Sequence, residues 1–165
     1  MKPSRLTTAS SDYTPADVYC GLRDQILRLP AERTAPGNTV GALMETGYER
    51  AVATLVVLED GTTSLYFSNG GGIIGAGQHK PVVAAALAFL QAASRNTALM
   101  EPTASYPLPR RGHTRFYVLS TDGSWTGEAL EEDLGNNRQP LSPLFHLAHA
   151  VIAAVRQHSG PPGKA

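Results

Sequence analysis

An Asp-Gly turn between two strand-type segments constrains the fold of this chain more than any other feature of its sequence. Asp60-Gly61 separates Ala51–Leu58 from Thr63–Ser68, and both segments are rich in residues that favour β-structure. Glycine accepts the positive φ angle that a tight hairpin turn requires, and an aspartate before it is also favoured there. The sequence therefore predicts an antiparallel hairpin at this point.

The same pattern occurs once more, in the second half of the chain. Asp122-Gly123 lies between Thr114–Ser120 and Trp125–Leu130, and it predicts a second hairpin. A further short apolar segment, Val40–Met44, precedes the first hairpin. These segments together predict five strands in a mainly antiparallel sheet.

The first helix is predicted to begin at Thr14, where a capping hydroxyl precedes a proline, and to end at Pro30. Its periodicity indicates an apolar face on the core and a charged face toward solvent. The apolar residues are Val18, Leu22, Ile26 and Leu29, and the charged residues are Arg23, Asp24 and Arg28.

The second helix, Pro81–Ala93, carries no charge, so it is expected to be buried on more than one side or to face a partner. The third, Leu144–His158, follows Ser142-Pro143 and has an apolar stripe. The element order is α-β-β-β-α-β-β-α. It predicts a single α+β domain over residues 14–158, with a five-stranded sheet and three helices layered on one face. Residues 1–13 and 159–165 are predicted to be flexible tails.

This element order, over residues 14–158, resembles that of the roadblock and longin group of profilin-like domains. The resemblance implies a five-stranded antiparallel sheet flanked by helices. It also implies a platform that dimerises and binds small GTPases or other proteins rather than an enzyme. No motif of that group is present, so the resemblance assigns no site residue.

The charge balance argues against nucleic acid as the main partner. Fourteen Lys and Arg balance fourteen Asp and Glu, so the chain lacks the positive field that binds phosphates. The basic run Arg110–Arg115 and the acidic stretch Glu128–Asp133 are expected to be solvated segments on neighbouring strands or loops. The single cysteine, Cys20, excludes an internal disulfide and is expected to be a buried thiol. With no signal peptide or membrane span recognised, the prediction is a cytoplasmic protein without membrane contact.

A glycine-rich segment after the first hairpin is the main candidate for a ligand-binding loop. Gly70, Gly72 and Gly75 match G-x-G-x-x-G before a helix, where glycine amides bind phosphate or another small anion. His79 would serve there as acid or base. The predicted ligand-binding residues are Ser68, Asn69, Gly70, Gly71, Gly72, Gly75, Gly77 and His79.

Two other roles remain open for this segment. Its glycines would let the chain turn sharply under the second helix, with Ile73 and Ile74 plugging the core. Alternatively, the segment contacts a partner protein through Ile73, Ile74 and Trp125. The chain shows no βαβ unit and no Gly-Lys-Ser or Gly-Lys-Thr, which argues against a dinucleotide site and excludes a P-loop.

No catalytic residue, metal or cofactor is predicted. His146 and His149 share a helical face, but no cysteine or carboxylate has ligand spacing with them. The favoured function is a non-catalytic interaction module that binds itself as a homodimer, or another protein, through the apolar helix and the glycine-rich loop. The alternatives are a small-ligand or nucleotide-phosphate binding protein, or an enzyme, that uses Gly70–Gly77, and an immunity protein that neutralises a toxin.

Overall fold

The computed structural model describes residues 13–32, 38–73 and 78–159. In these ranges the strands are β1 (Thr39–Gly47), β2 (Val52–Leu58), β3 (Thr63–Phe67), β4 (Gly72–Ile73), β5 (Glu101–Thr103), β6 (His113–Ser120) and β7 (Gly123–Leu130). The α-helices are α1 (Asp17–Glu32), α2 (Lys80–Arg95), α3 (Glu131–Gly135) and α4 (Ser142–Ser159), and Thr97–Leu99 forms a 3₁₀ turn. The predicted α+β class is confirmed.

The described strands form one antiparallel sheet in the order β4-β3-β2-β1-β6-β7-β5. Both predicted hairpins are present, as β2–β3 and β6–β7. Gly61 and Gly123 have φ angles of 93° and 135° in their turns, which is the left-handed region that favours glycine. The long strand β1 lies at the centre and joins the two hairpins.

The predicted count of five strands is wrong, because β4 and β5 extend the sheet at its two edges. β4 has two residues and β5 has three, with Pro102 in the middle of β5. Neither segment has the length or alternation that predicts a strand, and each exists by pairing with a longer neighbour. The helix count also differs, because the short α3 follows β7 directly with three acidic residues in its first turn.

Helices cover both faces of the sheet, whereas the element order predicts a helix layer on one face. Successive strand residues point to opposite faces, so Leu43 packs in the core that includes α1, while Ala42 and Met44 pack in the core beneath α2 and α4. The sheet therefore separates two cores.

α1 differs from its prediction in both ends and in its buried face. It begins at Asp17, after the predicted start at Thr14. It continues to Glu32 with Pro30 inside its last turn. Val18 is 59% exposed, although it was assigned to the apolar face. The buried residues are Tyr19, Cys20, Arg23, Asp24 and Leu27. The predicted charged face is thus partly buried, because Arg23 has a carboxylate partner on β1 that satisfies its charge.

α2 packs on the sheet beside α4 and buries one side only. Its buried residues are Val82, Ala86, Phe89 and Ala93, which recur at helical spacing. The expectation that this helix is buried on several sides is therefore wrong. The other expectation, that it faces a partner, stays a prediction.

Candidate functional site

The described part of the glycine-rich segment forms a tight turn and the edge strand β4. The N–H of Gly70 donates to the carbonyl oxygen of Phe67 at 2.9 Å, and the N–H of Phe67 donates to the carbonyl oxygen of Gly71 at 2.8 Å. Gly70 has a φ angle of 109°. At Gly72 an added Cβ would lie 2.6 Å from the carbonyl oxygen of Leu65. At these positions the glycines allow a turn and a close strand approach.

Ser68 and Asn69 differ in their surroundings. Ser68 is buried, and its Oγ accepts a hydrogen bond from the N–H of Val52 at 2.8 Å. Its carbonyl oxygen accepts one from the N–H of Ala16 at 2.7 Å, whereas Asn69 is exposed. Ser68 therefore links the turn to β2 and to the segment that precedes α1.

The remaining predicted ligand residues are divided between described and undescribed parts of the chain. Gly75 and Gly77 lie outside the described residues, as does Ile74, which was predicted to bind a partner. His79 is exposed at the start of α2, and its ring stacks on that of His158 with centroids 5.6 Å apart. Phosphate or small-ligand binding by this segment stays a prediction.

The predicted partner-binding residues are not brought together in one place. Ile73 and Trp125 are both half-buried and pack against the core under α2 and α4. In the sheet, however, β3, β2, β1 and β6 separate β4 from β7. Phe116 and Tyr117, two further aromatic residues of the second hairpin, are buried and present no surface to a partner.

α2 presents an uncharged stripe to solvent. Val83 and Leu87 are 42% and 53% exposed, and Ala84 and Ala88 are exposed beside them. Residues spaced three and four apart lie on one side of a helix, so these four form a continuous surface, here called the α2 face.

An apolar crevice of about 220 Å³ adjoins the α2 face. On the helix side it is lined by Ala86, Leu90 and the flanks of Val83 and Leu87, two residues of the α2 face, and on the strand side by Val57 and Leu58. The turn Glu59–Gly61 forms its rim. The face and the crevice together combine a projecting ridge with an adjacent depression.

A fully buried ion pair lies between α1 and the sheet, and the sequence analysis did not predict it. The Nε and Nη2 atoms of Arg23 donate to the Oε2 and Oε1 atoms of Glu45 at 2.6 and 2.7 Å. Both side chains are 0% exposed. Thr54 Oγ1 donates to Glu45 Oε2 at 2.8 Å and lies 2.7 Å from the hydroxyl of Tyr19. This chain of hydrogen bonds compensates for the burial of the two charges.

A signal for this pair is present in the sequence. Arg23 lies four residues before Leu27 and four after Tyr19, so it shares their helical face. Glu45 lies two residues after Leu43, so it shares its strand face. The predicted strand ended at Met44, one residue too early to include it. The pair has no exposed surface and joins α1 to β1.

The environment of this pair shifts the protonation of nearby tyrosines. Burial, followed by the negative charge of Glu45, raises the pKa of Tyr19 above its usual range, and the same two causes raise the pKa of Tyr117. Burial alone would lower the pKa of Arg23, but the charge and hydrogen bonds of Glu45 outweigh it and raise that pKa. Arg23 therefore stays charged and the two tyrosines stay neutral.

We predict that the protein loses stability above about pH 10, where tyrosines of the unfolded chain lose their protons. Tyr19 keeps its proton in the folded state, so alkaline pH favours unfolding, and the stabilisation present below pH 10 is lost as pH rises. Tyr19→Phe removes this titration and reduces the slope of unfolding free energy against pH by up to about 1.4 kcal/mol per pH unit. Urea unfolding between about pH 9 and pH 11 measures the slope. An unchanged slope in the variant would show that Tyr19 is not the group responsible.

A second Arg–Glu pair joins β6 to β7 and is partly exposed. Arg115 and Glu128 are cross-strand partners. Nη2 of Arg115 donates to Oε2 of Glu128 at 2.8 Å, and Nη1 donates to Oγ1 of Thr126 at 3.1 Å. The side chains are 18% and 19% exposed. The basic run and the acidic stretch thus meet on neighbouring strands.

This pair borders a cavity of about 420 Å³ at the outer edge of β7. We call it the β7 slot, and its lining is Leu99–Glu101, Arg115, Thr126–Ala129 and Gln139–Leu141. Nε of Arg115 and Oε1 of Glu128 are buried and have no hydrogen-bond partner. The second hydrogen bond of a bidentate Arg–Glu pair, from Nε to Oε1, is therefore not formed. This site could not be predicted from the sequence, because its walls come from segments distant in the chain.

His146 and His149 of α4 make different contacts. Nε2 of His146 donates to Oδ1 of Asn137 at 2.8 Å. His149 packs on Phe145, with ring centroids 4.4 Å apart, and burial, followed by the charges of His146 and Arg156, lowers its pKa. Within the described residues, no three His, Cys, Asp or Glu side chains are grouped to hold a metal ion.

Cys20 is a buried thiol, as predicted. None of the helices in the described ranges has both the length and the hydropathy of a membrane span.

The fold and these surfaces define an α+β domain built on one antiparallel sheet. No protein-family model matches the chain, and neither the curated proteins nor the solved structures include a significant match. The resemblance to roadblock and longin domains therefore stays a prediction from element order.

Proposed function

We propose that this protein is an interaction module that forms a homodimer through the α2 face. The observation that supports the proposal is that one surface carries both a projecting leucine and an apolar crevice beside it. Leu87 is 53% exposed, and the crevice adjoining it has a volume of about 220 Å³. Exposed apolar surface of this kind is characteristic of interaction sites.

A two-fold symmetric contact requires a surface that is complementary to itself. The α2 face meets this requirement if Leu87 of each copy enters the crevice of the other. Since a cavity of about 150 Å³ accommodates benzene, the crevice has room for a leucine side chain. Ala84 and Ala88 are small, so two antiparallel α2 helices can approach closely.

The size of the face predicts a weak dimer. α2 has 16 residues, which corresponds to a length of about 24 Å. A stripe of that length and about 10 Å wide covers a few hundred Å², less than the roughly 800 Å² per partner of a standard stable interface. We therefore expect a dissociation constant on the order of tens to hundreds of micromolar.

Sedimentation equilibrium over a range of concentrations tests the proposal. The wild-type chain is expected to increase in mean mass toward that of a dimer as concentration rises. Leu87→Gln places an amide at the contact and is expected to raise the dissociation constant at least about tenfold, since its partner groups stay apolar.

Leu99→Gln is the matched control, because Leu99 is 50% exposed but lies in the 3₁₀ turn after α2. This variant is expected to associate like the wild type. The proposal is wrong if the wild-type chain stays monomeric into the millimolar range, or if both variants change association equally.

A further inference from the structure

β7 has an open edge inside the β7 slot. β5 pairs with β7 only at Ser124, Trp125 and Thr126, whereas β7 continues to Leu130. The remaining length, Gly127–Leu130, corresponds to about 14 Å of strand. The slot lies along this part of the edge, with a volume in the range of ligand-binding pockets.

The register of the β6–β7 hairpin shows which backbone groups face the slot. A two-residue turn joins Ser120 to Gly123, and the pair closing such a turn is hydrogen-bonded. Every second residue of β7, starting with Gly123, then forms its backbone hydrogen bonds with β6. The N–H of Glu131 donates to the carbonyl oxygen of Gly112 at 2.9 Å in the same phase. Glu128 lies between two residues that bond to β6, so its own N–H and C=O point away from β6 toward the slot.

The side chains around this edge differ between the two sheet faces. Glu101, Thr126 and Glu128 share one face, since cross-strand partners and alternate residues project together. Arg115 lies on this face as the partner of Glu128. Two carboxylates and one guanidinium leave this face with a negative balance.

The other side of the slot is apolar. Met100 and Leu141 are buried and belong to the core under α2 and α4. Gly127 lies between them, since an added Cβ would be 2.8 Å from Cδ1 of Leu141 and 3.4 Å from Cγ of Met100. A side chain directed to this face meets hydrocarbon.

From this arrangement we infer that the β7 slot binds an extended peptide by adding a short strand to β7. The peptide residue opposite Glu128 exchanges two backbone hydrogen bonds with it. Its side chain projects beside Glu101 and Glu128 and is basic. The residues before and after it project over Met100 and Leu141 and are apolar. The preferred ligand is thus an apolar-basic-apolar segment of a partner protein, and its binding does not depend on dimerisation through α2.

The probe for this inference is the capped peptide acetyl-Thr-Leu-Lys-Leu-Thr-amide, titrated into isotope-labelled full-length protein and followed by NMR. Backbone amide shifts are expected to change at Gly127–Leu130, with weak, saturable binding. The control peptide carries a methyl group on the backbone nitrogen of its lysine. It therefore cannot donate a backbone hydrogen bond to Glu128. It is expected to bind about tenfold more weakly.

Charge reversal provides a second test. Replacing lysine by glutamate in the peptide is expected to abolish binding to the wild type. Glu128→Gln should weaken binding of the lysine peptide and partly restore binding of the glutamate peptide, while leaving the backbone of β7 in place.

Three outcomes would overturn the inference. The first is no saturable binding at millimolar peptide. The second is equal affinity for the N-methylated peptide, and the third is equal binding of free lysine amide. The last two would show that the slot recognises a side chain or small ligand and does not extend the sheet.

Discussion

Replacing Glu45 by glutamine is expected to lower the free energy of unfolding by about 3 to 5 kcal/mol. The substitution preserves shape but leaves the guanidinium of Arg23 fully buried without its counter-charge. The side-chain NH₂ group of the glutamine would also face an N–H donor of Arg23 where the wild type has an acceptor oxygen. The cost arises because a buried charge that loses its counter-charge is no longer compensated for its lost hydration.

Urea unfolding at neutral pH measures this effect, and the chain offers a matched control. Glu128→Gln changes the same residue type in another Arg–Glu pair of the same sheet, but that pair is partly exposed, so its expected cost is about 1 kcal/mol or less. The double variant Arg23→Met with Glu45→Leu removes both charges and is expected to be more stable than Glu45→Gln. Equal losses at Glu45 and Glu128 would contradict the buried pairing of α1 with β1.

Local sequence patterns were sufficient for the elements that carry their own signals. The turns at Gly61 and Gly123 require positive φ angles. The segments on either side of each turn are long enough to pair with each other as strands. α4 begins at Ser142 with Pro143 next, as its capping pattern predicts. These signals lie within a few residues of one another, so no tertiary information is needed to interpret them.

The features missed by sequence depend on contacts between distant segments. β5 is a three-residue strand with a central proline, and its pairing with β7 sets the point where the open edge begins. The pair of Arg23 with Glu45 spans 22 residues, and a charged residue on a helix is ordinarily assigned to solvent. The burial of Arg23 and the burial of Glu45 depend on each other, because burial of either charge is favourable only when the other is in place.

The candidate surfaces show the same division between local and long-range information. The uncharged segment Pro81–Ala93 predicted a helix that is buried on more than one side or faces a partner, and the structure shows that one side of it is exposed. Which side remains exposed could not be predicted, because Phe89 and Leu87 are equally apolar in sequence. The packing of α2 on the sheet and beside α4 decides it.

Phe89→Ala and Leu87→Ala are therefore expected to affect different properties, the first the stability of the monomer and the second its association, although the residues lie two positions apart on α2. Phe89 is 0% exposed, and its truncation is expected to cost about 3 to 5 kcal/mol through lost burial and a cavity. Leu87 projects from the outer side, so its truncation should change the monomer's stability by about 0.5 kcal/mol or less. Alanine has the highest helix propensity, so neither substitution weakens the helix itself.

Two measurements separate the core role from the interface role. Urea unfolding is performed at protein concentrations well below the dissociation constant, where the dimer contributes no stability. Sedimentation equilibrium is performed without urea, where each folded variant is free to associate. Leu87→Ala should remain stable and lose association, whereas the folded fraction of Phe89→Ala should keep it. If Leu87→Ala is as destabilising as Phe89→Ala, then the α2 face belongs to the core of the monomer, and a dimer formed through it is excluded.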